Sequence, residues 1–218
     1  MPGTEFGRPA GAAVAYAGLV SARGELEVIC GPMFSGKTDA LVDRYERARS
    51  DGLDVVAVKP ARDSRHPRDR IVSHSGREIL ATAAGSSRDV AWLGRSADLV
   101  LIDEIQFFQS DLRETVASLR ARGVEVVAVG LDRDFRREPF ETTAALARGA
   151  SRVTRLTGRC SRCGDEATLT QRLIDATPAP LDAPRLVVGD AELYEPRCER
   201  CWVEERVPSE ARATVPEL

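Results

Sequence analysis

The segment Gly31-Pro-Met-Phe-Ser-Gly36-Lys37-Thr38 constrains this chain more than any other. Ahead of it stands a short apolar run, Leu26–Cys30, the pattern of a buried strand. Behind it, Thr38–Arg49 has helical spacing, with Leu41, Tyr45 and Ala48 on one side. A strand, a glycine-rich turn ending in Lys-Thr and a helix form the Walker A arrangement. Successive backbone N–H groups of such a turn point at phosphate oxygens, and the helix N-terminus adds its dipole. Gly31, Pro32, Met33, Phe34, Ser35 and Gly36 then cradle the phosphates of ATP. Lys37 reaches the β- and γ-phosphates, and the Thr38 hydroxyl binds Mg²⁺.

The rest of the first 156 residues repeats the alternation. Val55–Val58, closed by Pro60, Leu99–Ile102, Val124–Val129 and Arg152–Leu156 read as strands, and Leu112–Arg122 and Thr142–Arg148 as helices. The charged stretch Ala61–Arg70, with Pro67 inside it, reads as a mobile surface loop. Strands alternating with helices predict an α/β fold, a P-loop NTPase-like parallel sheet flanked by helices. Leu99-Val-Leu-Ile-Asp103-Glu104 supplies the Walker B half, with Asp103 holding Mg²⁺ directly or through water. Glu104 stands beside that ligand as a candidate general base, toward either a substrate hydroxyl or a water. A kinase and an ATPase are both open at this point. Phe107 and Phe108, just beyond, suit core and pocket equally well.

Of the five cysteines, four form two pairs, Cys160-x-x-Cys163 and Cys198-x-x-Cys201, separated by 34 residues. Four thiolates in two knuckles make a closed tetrahedral Zn²⁺ site, and a site with no open position is structural. The long spacer, with Pro178, Pro180, Pro184 and Gly189, reads as a loop whose two ends the zinc anchors. Cys30 reads as a small buried hydrophobe. The expected organisation is a disordered extension over 1–24, an ATP-binding domain over 25–156, a zinc-binding domain over 157–208 and a tail over 209–218.

Composition removes other classes. The net charge is −3 with both signs mixed along the chain, and aromatic residues make up only 5%. Neither fits a basic or base-stacking surface, so no nucleic-acid partner is expected. Ala12–Val20, interrupted by Gly18, is too short to cross a bilayer, and no membrane partner is expected. ATP chemistry and paired thiols point to the cytoplasm.

Several motifs, in order, resemble the zinc-containing (type II) thymidine kinases from about Glu25 to Val207: the Pro-Met-Phe form of the phosphate loop, Lys59-Pro-Ala-Arg-Asp-Ser-Arg65, Ser73-His74, Asp103-Glu-Ile-Gln-Phe-Phe108, Gly130-Leu-Asp-Arg-Asp-Phe135 and the four cysteines. Ile105 departs by standing where a small residue is common, and Gly189-Asp190 by standing where two glycines are frequent. The resemblance implies a lasso-like loop on the zinc domain and transfer of the ATP γ-phosphate to the 5′-hydroxyl of thymidine. It implies Glu104 as catalytic base and Asp63 and Arg65 near the reacting phosphate and Mg²⁺. Met33, Phe107, Leu131, Phe135, Thr170 and Tyr194 match positions lining the thymidine pocket, with Val187, Val188 and Gly189 on the lasso. A homotetramer and feedback inhibition by dTTP are also implied. The competing expectation is a P-loop ATPase whose zinc domain binds a nucleic acid or protein.

Overall fold

The computed structural model describes residues 23–189 and 191–204. Residues 1–22 of the expected extension, the 209–218 tail and Asp190 lie outside the described residues. The first part of the chain runs β1 (Leu26–Gly31), α1 (Lys37–Ser50), β2 (Val55–Pro60), β3 (Arg70–Val72), β4 (Glu78–Leu80), β5 (Thr82–Ala84), α2 (Ser87–Leu93), β6 (Leu99–Ile102), a 3₁₀ turn (Ile105–Phe107), α3 (Leu112–Ala121), β7 (Glu125–Leu131), α4 (Glu141–Arg148) and β8 (Arg152–Arg155).

Six of these strands form one sheet in the order β5-β2-β6-β7-β1-β8, parallel at every pairing. Its central strands are apolar without alternation because both faces are covered. On one face Val28, Cys30, Val100, Ile102, Val126 and Ala128 pack with Val90, Leu112, Val116, Leu119 and Leu146 of α2, α3 and α4. On the other, Ile29, Ala57, Leu101, Val127 and Val129 pack with Leu41, Val42 and Ala48 of α1 and with Ile71 and Ile79. Leu101 and Ile102 are both fully buried, on opposite faces, each contributing about 1.5–3 kcal/mol. They anchor the strand that delivers Asp103 and Glu104.

The expected strands and helices are present within a few residues of their read boundaries. The antiparallel hairpin β3–β4, the strand β5 and helix α2 are additions. The hairpin strands span three residues each, too few to show periodicity. Helix α2 does carry a local signal, a capping box in which Ser86 accepts from the Asp89 N–H and the Asp89 carboxylate accepts from the Ser86 N–H. Ala61–Arg70 holds no regular element before Arg70, as expected of a loop, but Asp63 within it is buried.

After β8 the chain forms short strands: β9 (Gly158–Arg159) pairs with β10 (Glu166–Ala167), and β11 (Leu169–Ile174) lies between β12 (Thr177–Pro178) and β13 (Tyr194–Arg197). Cys160, Ala167 and Cys198 form a small cluster of their own. Among the described residues no helix is long and apolar enough to cross a membrane.

Candidate active site

Because the strands are parallel, the ends of β1, β2, β6 and β7 open on one edge of the sheet, where ligands of such sheets bind. The phosphate loop leaves β1 there, the 61–69 loop leaves β2, Asp103 and Glu104 leave β6, and Leu131–Phe135 leaves β7. Gly31 must be glycine: its φ is +156°, and a Cβ would lie 2.2 Å from the Leu156 carbonyl oxygen. Lys37 is buried, and its Nζ donates to Pro32 O at 2.5 Å and Ser35 Oγ at 3.4 Å. Burial holds its pKa below the ordinary lysine value, opposed by the charges of Glu104, Asp103 and Asp132.

A cavity opens over this loop, lined by Met33–Asp39 and by Asp63, Arg65, His74, Asp103 and Glu104. Gly31 and Pro32 stand behind its wall rather than in it. Burial, reinforced by the neighbouring Glu104 carboxylate, pushes Asp103 up to about 7. Two adjacent carboxylates and Thr38 lining one phosphate cavity suit a divalent cation.

Glu104 is held from both sides. Its backbone adopts a left-handed conformation (φ 50°, ψ 47°), which costs a non-glycine residue about 1–3 kcal/mol. One carboxylate oxygen accepts from the Arg65 guanidinium and the other from the Gln106 side-chain amide. Arg65 also donates to both oxygens of Asp63, at 2.8 and 3.0 Å, and Lys59 Nζ lies 3.9 Å from that carboxylate. Burial alone would raise the Asp63 pKa, but the Arg65 guanidinium holds it below the ordinary value.

A second cavity adjoins the first and shares Met33, Arg65 and Glu104 with it. It contains the whole set read as substrate-lining: Met33, Phe107, Leu131, Phe135, Thr170, Val187, Val188, Gly189 and Tyr194. Phe107 faces this cavity, with the Arg62 guanidinium 5.9 Å from its ring centre, whereas Phe108 is buried against the helices of the sheet. Gln106, Asp134, Phe140 and Arg185 also line it, and the sequence alone singles out none of them. For Gln106 the only available signal was its place two residues beyond Glu104 in one motif.

The roof is the segment between β12 and β13. The Tyr194 hydroxyl donates to Val187 O at 2.8 Å, and Arg136 donates to Ala183 O at 2.6 Å. Arg185 Nε donates to Asp134 Oδ2 at 2.8 Å, and the other oxygen of that fully buried carboxylate accepts from the N–H groups of Arg136 and Glu138. The sulfurs of Cys160, Cys163, Cys198 and Cys201 lie within 4.8 Å of one another. Burial opposes ionisation of Cys160, yet the N–H groups of Cys198, Cys163 and Arg162 draw it down to about 6. This all-thiol set fits tetrahedral Zn²⁺ and leaves no position for a reacting water.

A phosphate loop at a strand–helix junction of a parallel sheet, with paired acids ending β6, one strand removed from β1 across β7, defines a nucleotide-binding protein of the P-loop class. The thymidine kinase family model matches residues 24–202, and the chain belongs to that family of kinases. Among solved structures it is similar to a DNA replication initiation factor, with 15% identity and TM-score 0.37 over 63% of this chain and 41% of that one. It is also similar to the flagellar accessory protein FlaH from Methanocaldococcus jannaschii, with 14% identity and TM-score 0.44 over 66% of this chain and 76% of that one. The chain thus spans about two fifths of the length of the initiation factor.

Proposed function

We propose that the protein transfers the γ-phosphate of ATP to the 5′-hydroxyl of thymidine, giving ADP and dTMP. One observation carries this reading: the phosphate cavity and the second, more apolar cavity meet at Glu104, Arg65 and Met33. A site built only for hydrolysis needs a water beside Glu104, not a roofed chamber with Phe107, Phe135 and Tyr194 in its walls.

In this reading the phosphate loop and Lys37 hold the β- and γ-phosphates. Thr38 and Asp103 hold Mg²⁺, which when bound neutralises charge on the phosphates. Thymidine lies in the second cavity, its base under Val187–Gly189 and its 5′-oxygen toward Glu104. That oxygen bonds to the γ-phosphorus as the bond to the β–γ bridging oxygen breaks, ADP leaves, and the Glu104 carboxylate accepts the hydroxyl proton. Arg65 reaches both Glu104 and Asp63, so it is placed to meet negative charge on the moving phosphoryl group.

The continuity of the cavities also supports inhibition by dTTP, with its base under the roof and its phosphates over the loop. Four copies in one assembly, working in the cytoplasm, complete the proposal; light scattering showing a monomer at every concentration would refute the assembly. The test of the activity is ADP release from Mg-ATP with thymidine, with DNA or with neither. Release that requires thymidine supports the kinase. Release that DNA stimulates, or that needs no addition, supports the ATPase instead.

A further inference from the structure

Gln106 is buried (6% exposed) and makes two hydrogen bonds in opposite directions. Its side-chain oxygen accepts the Leu131 N–H at 3.1 Å, where β7 ends. Its side-chain nitrogen donates to the Glu104 carboxylate. The first bond dictates the second. An N–H can only donate, so the amide must turn its oxygen to Leu131, which leaves the NH₂ group facing Glu104. The space for this arrangement is provided by Gly130, where a Cβ would stand 2.5 Å from the Gln106 oxygen and 2.6 Å from Ile105 Cγ1. Ile105 fits beside it because Gly130 lacks that atom.

The Glu104 side chain has several rotatable bonds, so its carboxylate keeps one direction only where other groups restrain it. Arg65 provides one restraint, but it sits on the irregular 61–69 loop and is shared with Asp63. Gln106 provides the other from the rigid end of β7, in the middle of the sheet.

We infer that Gln106 is a positioning residue for phosphoryl transfer: it ties the Glu104 carboxylate to the β7 backbone and aims it at the acceptor hydroxyl. This inference rests on Glu104 being the proton acceptor of the proposed reaction. Misplacing a reacting group by about 1 Å costs on the order of 10²-fold in rate.

The test is a cycle of variants with kcat, KM and thymidine binding measured for each. Gln106→Leu loses both bonds without adding charge; Gln106→Glu keeps an acceptor for Leu131 but sets a second carboxylate against Glu104. Each should lower kcat by about 10²-fold while KM for thymidine and ATP changes little. In a Glu104→Gln background, where the positioned base is already gone, the same changes should lower kcat by no more than about threefold, because residues acting as one unit are non-additive. If Gln106→Leu does not fold, Gln106→Met, which keeps the length, loses both bonds and adds no charge, takes its place in the cycle. Normal kcat in Gln106→Leu or Gln106→Met, equal losses in both backgrounds, or a loss confined to KM would each overturn the inference. ATP turnover that needs no nucleoside would sink the kinase reading instead, and the same cycle measured on that turnover would still decide the role of Gln106.

Discussion

The backbone N–H of Met33 donates to the hydroxyl of Thr170 at 3.0 Å, joining the phosphate loop to β11 across 137 residues of sequence. Both partners are buried, and both line the second cavity. The loop that grips ATP and the subdomain that roofs the second cavity are thereby held in one register.

Thr170→Val keeps the shape and removes the acceptor, leaving a buried N–H unpaired at a cost of about 1–3 kcal/mol. Its expected signature is a weaker hold on ATP and thymidine together, with a lower melting temperature. Steady-state kinetics and thermal melting check this. A change in thymidine KM alone would show that Thr170 acts only as a pocket wall.

Zinc should be found at one atom per chain, and its removal by a chelator should lower the melting temperature and abolish thymidine binding. The knuckles hold the far ends of β9 and β13, and β13 carries Tyr194 under the roof. Metal analysis and thymidine titration of stripped protein are the measurements. Full folding and binding without metal would contradict this role for the four thiols.

The roof should depend on Asp134. Its carboxylate accepts from Arg185 and two backbone N–H groups while fully buried. Asp134→Ala leaves those donors unpaired, so thymidine KM should rise by about tenfold or more, the equivalent of roughly 1.4 kcal/mol, with ATP KM nearly unchanged. Equal effects on both substrates would mean that the loss had spread to the phosphate loop.

A pH effect is expected far from the site. Glu27 on β1 is buried and receives Arg44 through two bonds of 2.9 Å and Arg152 at 2.7 Å. Burial would raise its pKa, but the two guanidinium groups hold it below the ordinary 4.5. A depressed carboxyl pKa adds stability above the unfolded-state value, and that stability is lost as pH falls through the folded value. Glu27→Gln should therefore cost about 1–3 kcal/mol at pH 7, toward the lower end because Arg152 is largely exposed, and progressively less below about pH 4. Urea unfolding at both pH values checks it; a gap that does not narrow in acid would refute it.

What the sequence disclosed follows from the range of the interactions involved. The phosphate loop and the Asp103-Glu104 pair were legible because each is a contiguous segment whose chemistry is local. The central strands were legible because burial on both faces forces unbroken apolar runs. The hairpin β3–β4 was not, since each strand buries a single side chain, Ile71 or Ile79. Phe107 and Phe108 could not be separated by pattern alone, and only the resemblance singled out Phe107, because the 3₁₀ turn after Glu104 decides which ring faces the cavity. Gln106 and Asp134 stood inside motifs, yet their roles were not legible, for a different reason. Their partners, Leu131 and Arg185, lie 25 and 51 residues away, so those bonds exist only once the chain has folded.

The central claim is phosphoryl transfer to a nucleoside 5′-oxygen at the junction of the two cavities. The most direct measurement follows the γ-phosphate itself. ATP labelled at that phosphate is incubated with the protein and thymidine, 3′-deoxythymidine or 5′-deoxythymidine, and the labelled products are identified. The label should pass to the first two nucleosides and not to the third, which lacks the acceptor hydroxyl. Label released only as inorganic phosphate, or passed to 5′-deoxythymidine, would contradict the account.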